Sequence, residues 1–215
     1  MSADDSLAPI APAQLAGLLA LGMLVGTING LARVTMPLYA SSVGAQPWQV
    51  GVIGGMGYAG LLLLALPMGA WIDRHGSRAL FVRGVLVSAL LYLALPWVHV
   101  PWQLMVAAWL LGLTLPFRTV PAQTEFLALV PRLSAGKAGW NRAANTVGMF
   151  FLGPAVGAAV IAALGYAPVF YLAAGALLGA AVLALRVLAH HGDSDDGPQR
   201  SGLRQRMGQQ IEMLR

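Results

Sequence analysis

Residues 48–97 read WQVGVIGGMGYAGLLLLALPMGAWIDRHGSRALFVRGVLVSALLYLALPW. Two apolar runs, Trp48–Trp71 and Ala79–Trp97, flank a polar break at Asp73–Ser77. Neither run alternates apolar and polar residues, as a barrel strand would. Each is long enough to cross a hydrocarbon core of about 30 Å, which takes about 20 helical residues. The stretch is a pair of membrane-crossing helices joined by a short charged turn.

Four more apolar stretches lie outside this pair: Leu15–Ala40, Trp102–Val130, Asn141–Leu164 and Val169–Ala189. The breaks between them carry turn chemistry: Ser41–Pro47, His99–Pro101, Pro131–Trp140 and Gly165–Pro168. The expectation is an all-α membrane protein of six transmembrane helices, divided into an N-terminal segment 1–14, a bundle 15–189 and a polar tail 190–215. Met1–Asp5 is acidic instead of basic, so the first apolar stretch reads as a retained span and not a cleaved signal. In the tail, His190–Pro198 reads as a solvated linker. His190 and His191 near Asp193, Asp195 and Asp196 are a weak metal-binding pattern within it. Leu203, Met207, Ile211 and Leu214 then recur at the spacing of a short interfacial helix.

Composition agrees. Of 215 residues, 58% are hydrophobic and 10% charged, against about 25% charged in soluble proteins. The mean hydropathy is +0.70. There is no Cys, which removes disulfides and thiolate chemistry. A net charge of +5 invites a nucleic-acid reading. The basic residues, however, fall in the short intervals between apolar runs, where they act as topology signals. All of them except Arg33 and Arg118 belong to the turn between stretches two and three, the turn between four and five, or the tail. The other three turns hold none, so the positive-inside rule places both termini in the cytoplasm.

Within the charged turn, Gly69-Ala70-Trp71-Ile72-Asp73-Arg74-His75-Gly76-Ser77-Arg78 resembles the loop signature of the major facilitator superfamily: Gly, three residues, Asp-Arg, one residue, Gly, one residue, a basic residue. Gly69 suits close helix approach, Gly76 a tight turn, and Asp73 can accept from backbone donors at a neighbouring helix start. A generic positive-inside turn is the plainer alternative. On the fifth stretch, Gly148, Gly153-Pro154 and Gly157 are similar to that family's Gly-Pro motif, with Ala158 where the family has a final glycine. Within the family the motif is commonest among exporters and antiporters; Gly153 and Gly157 alone would equally serve as a helix-packing face.

The resemblance implies half of a major-facilitator fold, built as two inverted three-helix repeats, with a solute cavity formed against a second six-helix bundle. That bundle would be a second copy of this chain or a separate chain. In this family the first and fourth helices line the cavity, which nominates Asn29 and Arg33 on the first helix and Thr114 and Arg118 on the fourth as substrate-binding residues. Arg33 lies about 10 Å from the outer end of its helix at 1.5 Å per residue, so snorkelling to the headgroups is an open alternative. Arg118 is about 24 Å along its helix from Trp102 and has less freedom to escape. Glu125 stands two turns further on. By the resemblance it pairs with Arg78 and joins Gly69, Asp73, Arg74 and Gly76 in a gating turn; a proton-carrying carboxylate is the competing reading.

One inference needs no family. The cavity would hold Arg33 and Arg118 and no embedded carboxylate, so its field should disfavour cations and suit anionic or neutral solutes. Gly55-Met56-Gly57-Tyr58-Ala59-Gly60 and the stripe Gly22, Gly26, Gly30 read as packing surfaces inside spans, not as nucleotide sites. No phosphate loop, zinc-binding His pair or nucleophile elbow is present in the sequence, so no enzyme chemistry, cofactor or metal is expected. The function expected is secondary transport of a small solute by alternating access, in the efflux direction, in an inner or plasma membrane, with protons as a possible coupling ion. A non-transporting assembly subunit or an inactive fragment is the alternative.

Overall fold

The computed structural model describes residues 12–129 and 139–187. The N-terminal segment, the loop carrying Arg132 and Lys137, and the polar tail with its expected amphipathic helix lie outside them. The described residues contain six helical crossings and no strand. The first is α1 (Pro12–Ser42). The second is broken into α2 (Pro47–Met56) and α3 (Ala59–His75), the third is α4 (Ser77–Ala94), and the fourth is α5 (Pro101–Leu129). The fifth consists of α6 (Trp140–Val147), a π turn over Gly148–Leu152 and α7 (Gly153–Leu164); the sixth is α8 (Tyr166–Val187).

Two expected loops shrink to single residues. Asp73, Arg74 and His75 do not leave the helix but form its last turn, where cationic side chains complement the exposed carbonyls. The chain then reverses at Gly76 alone, whose φ of 76° is a conformation that side chains rarely tolerate. Gly165 does the same at φ 85° between the fifth and sixth crossings, because Pro168 fits the first turn of α8 instead of extending the loop. The break in the second crossing falls at Gly57-Tyr58, downstream of Gly54 and Gly55, poor helix formers that leave the tight turn Tyr58 N–H to Gly55 O (3.0 Å) as the local optimum. In the fifth crossing the wide turn precedes Pro154, which has no N–H for the regular ladder and whose ring pushes the preceding turn open.

The packing repeats itself. α1 lies along the fifth crossing and, equivalently, α5 lies along the second; α4 and α8 pack on each other at the centre; α1 meets α8 as α5 meets α4. Exchanging crossings one, two and three for four, five and six maps this set of neighbours onto itself, the mark of two inverted three-helix repeats. Both lateral contacts are made by glycine. A Cβ on Gly26 or Gly30 would strike the carbonyls of Asn145 or Met149, and Gly148 and Gly153 stand against the α1 backbone at Met23 and Thr27. In the other repeat Gly60 stands against the α5 backbone at Gly112 and Leu113, and Gly112 against the backbone of Met56 and Gly57 in the second crossing. Gly157 is looser, at ordinary contact (3.4 Å) with the Thr35 hydroxyl. Of the G-x-G-x-x-G run, only Gly60 packs tightly; around Gly55 there is open space.

The core is a column of Leu, Val, Phe and Ala from α1, α4, α5 and α8. The second and fifth crossings bury only 11% and 17% of their most apolar window, against 44–50% for the other four, so their flanks face outward. Trp48, Trp97 and Trp102 are exposed at one end of the bundle, where amphipathic rings meet the headgroup layer. At that end the Tyr39 hydroxyl donates to Val98 O (2.8 Å) and its ring packs on Tyr166 and Phe170. At the opposite end Val187 touches the position of Gly17, which brings the start of the first crossing beside the end of the last.

Candidate functional site

A cavity of about 630 Å³ opens between α1, the broken second crossing and α5, with Tyr92 of α4 and Asn145 and Met149 of the fifth crossing completing its wall. A second hollow of about 480 Å³ lies nearer the Gly76 end, between the first turns of α1, the last turns of α5 and Asn141 and Arg142. Asn29, Thr119, Gln123 and Asn145 belong to both, so one polar track links them.

Three of the four residues nominated from sequence face this space. Asn29 lines it, and its Oδ1 is buried without a hydrogen-bond partner. Arg33 is exposed at the rim, its guanidinium 5.5 Å from the Phe150 ring centre in a cation–π contact across to the fifth crossing. Arg118 is 3% exposed and forms part of the wall, with Nε and Nη1 buried and unpartnered. Thr114 does not line the cavity. It points at α4, accepting from the Ser88 hydroxyl (2.7 Å) and donating to Leu111 O (2.8 Å). Being one turn from Arg118 fixed its height but not its azimuth, and the polar neighbour Ser88 decided which way the hydroxyl turned.

The charged turn also departs from expectation. Gly69 is not a helix-approach residue within this bundle: a Cβ there would meet nothing. No ion pair joins Arg78 to Glu125 among the described residues; Arg78 is exposed and Glu125 half-buried. An ion pair at a wet helix end gains little over two hydrated charges, so equal height along the bundle is not enough to close it. Asp73 is exposed and engaged by another group.

Sequence reasoning missed five polar lining residues: Tyr58, Tyr92, Thr119, Gln123 and Asn145. Tyr92 is 1% exposed, lies beside the Arg118 guanidinium, and is the contribution of α4 to the wall. Asn145 donates from Nδ2 to Gly22 O (3.0 Å), clamping the fifth crossing to α1. An amide inside an apolar run was the available signal for Gln123 and Asn145, since polar groups in a span are costly unless they serve a contact or a cavity.

The electrostatics are one-sided. Among the described residues the cavity and its neighbour are lined by Arg33, Arg118 and Arg142 and by no Asp or Glu. A guanidinium walled into a low-dielectric site without a counter-charge costs several kcal/mol unless something anionic or strongly polar meets it. The site can bind and orient a solute.

Comparisons with known proteins agree with the architecture. Residues 18–211 match the family model described as Major Facilitator Superfamily. The chain is 28% identical to "Multidrug resistance protein MdtG" of Citrobacter koseri over 162 residues, covering 73% of this chain and 39% of that protein. It is 28% identical to the protein of the same name from Escherichia coli O9:H4 over 166 residues, 74% and 40% of the two chains. The Salmonella arizonae protein is 27% identical, with 73% and 40% covered. The chain thus spans about two fifths of the length of these relatives. Six crossings in two inverted repeats, a polar cavity on the flank of the first and fourth, and a family match over most of the sequence make this chain a member of the Major Facilitator Superfamily.

Proposed function

We propose that the chain forms one half of a secondary transporter that exports small anionic or neutral solutes across a bacterial inner membrane by alternating access. Arg118 carries this reading: a cation 97% removed from solvent, two of its nitrogens unpaired, in a cavity with no carboxylate among its described lining residues. Such a charge raises the energy of the empty protein and is relieved by an anion, which turns a structural cost into binding selectivity. Arg33 at the rim attracts and Arg118 at the wall receives; Asn29, with an unused acceptor, suits the donor groups of a neutral part of the solute. The names of the relatives, multidrug resistance proteins, support the outward direction. A second six-helix bundle closes the open flank. Asp73, Arg74 and Arg78 belong to the latch at the Gly76 end, which the positive-inside rule puts in the cytoplasm.

The test uses membrane vesicles carrying the chain, loaded with matched cationic, neutral and anionic solutes of one scaffold. Anion efflux should dominate and be lost in Arg118→Gln, while the thermal midpoint of that variant rises because an unpaired buried charge has been removed. A preference for cations that survives Arg33→Ala overturns the reading. Stable assembly with a second protein and no flux of any solute would make the chain an assembly subunit instead.

A further inference from the structure

We infer that Tyr92 and Arg118 together form an anion subsite, in which the phenol O–H donates to the same carboxylate, sulfonate or phosphonate group whose charge the guanidinium meets. The inference rests on the anionic reading of the cavity and names how the anion is held.

The geometry begins with register. α4 and α5 run antiparallel, and the Ser88–Thr114 hydrogen bond (2.7 Å) and the contact of Gly84 with Phe117 fix which residues stand level. Tyr92 is one turn beyond Ser88, and Arg118 is one turn beyond Thr114 in the opposite direction along the bundle. Their backbones are therefore offset by about eight residues, or about 12 Å at 1.5 Å per residue. Side chains lean toward the N-terminus of their own helix. In an antiparallel pair Tyr92 leans down as Arg118 leans up, and two long side chains close a gap that their Cα positions leave open. Both end in the wall of the same cavity, 1% and 3% exposed.

The chemistry follows from donor counting. A guanidinium has five N–H donors and no acceptor, so it can only give to the phenol oxygen and never take its proton. Among the described residues no acceptor is hydrogen-bonded to that proton. A buried phenol ordinarily finds a partner. Two of the three Arg118 nitrogens are likewise unpartnered. A positive charge and a free O–H on adjacent walls, with no carboxylate among the described lining residues, both offer donors to one group, which is the complement of an oxyanion.

The purified full chain in detergent is titrated calorimetrically with benzoate and benzamide, matched in shape and differing in charge. Wild type should favour benzoate. Tyr92→Phe should weaken benzoate about tenfold, the worth of one hydrogen bond to a charged group, and leave benzamide unchanged. In Arg118→Gln the further change Tyr92→Phe should cost benzoate much less, because the two groups act on one anion. Equal weakening of both ligands by Tyr92→Phe, or of neither, overturns the subsite. Failure of wild type to favour benzoate overturns the anionic reading on which it rests. Chloride that displaces benzoate, less well in Tyr92→Phe, would support the subsite with a small inorganic anion as its occupant; chloride without effect would support it with an organic anionic head.

Discussion

Gly60→Ala is the sharpest test of the packing, because a methyl group there has nowhere to go. Its ideal Cβ would meet the backbone of Gly112 and would stand 2.5 Å from Leu113 Cα, all main-chain atoms of α5 that cannot swing aside. Ordinary contact begins near 3.4 Å, so α3 and α5 must part by about 1 Å along much of their length. Overpacking of this kind costs about 1–3 kcal/mol. Gly54→Ala and Gly69→Ala are the controls: both positions are helical, and both offer a Cβ open space. There the substitution should be neutral or stabilising by about 0.5–1 kcal/mol through helix propensity. Denaturant-induced unfolding of the three purified variants in one detergent should separate Gly60→Ala from the controls by about 1–4 kcal/mol. A Gly60→Ala protein as stable as Gly69→Ala would refute the backbone contact, and with it the equivalence between this glycine pair and the α1 contact of the other repeat.

Three further outcomes are expected. Tyr39→Phe removes the 2.8 Å bond to Val98 O and should cost about 1 kcal/mol, read as a lowered thermal midpoint with solute selectivity unaltered. Ser88→Ala strips Thr114 of its donor across the α4–α5 seam; it should destabilise by about 1 kcal/mol and, by loosening the register that aims Tyr92 at Arg118, weaken benzoate more than benzamide in the same calorimetric titration. Asp73→Ala should insert at normal abundance, checked by membrane immunoblot, and cut vesicle flux several-fold; full flux at equal abundance would remove Asp73 from the latch.

The crossings and their order were legible because the bilayer imposes a length and a polarity on each span, and these are one-dimensional properties. The ends of the helices were less so. Asp73-Arg74-His75 reads as loop by polarity, yet one glycine suffices for the reversal, and the charged residues continue the helix into the wet layer. Depth along a helix was also readable, which is why Arg118 and Asn29 fall in the cavity wall. Azimuth was not: it depends on what the neighbouring helix offers, and Ser88 drew Thr114 inward while Gly69 was left facing outward. Tyr92 was missed for a related reason. In an apolar run a tyrosine reads as core, and only the antiparallel placement of Arg118 gives its hydroxyl a task.

The reversals at Gly76 and Gly165 have a mechanical corollary. A connection one residue long behaves as a pin joint, which lets two rods swing but never slip lengthwise past each other. Crossings two and three, and five and six, are therefore yoked pairs, and any stroke of the molecule must flex the rods themselves. The places already softened for that are the Gly57-Tyr58 break and the π turn before Pro154, one in each repeat and both bordering the chamber that a passing solute would occupy.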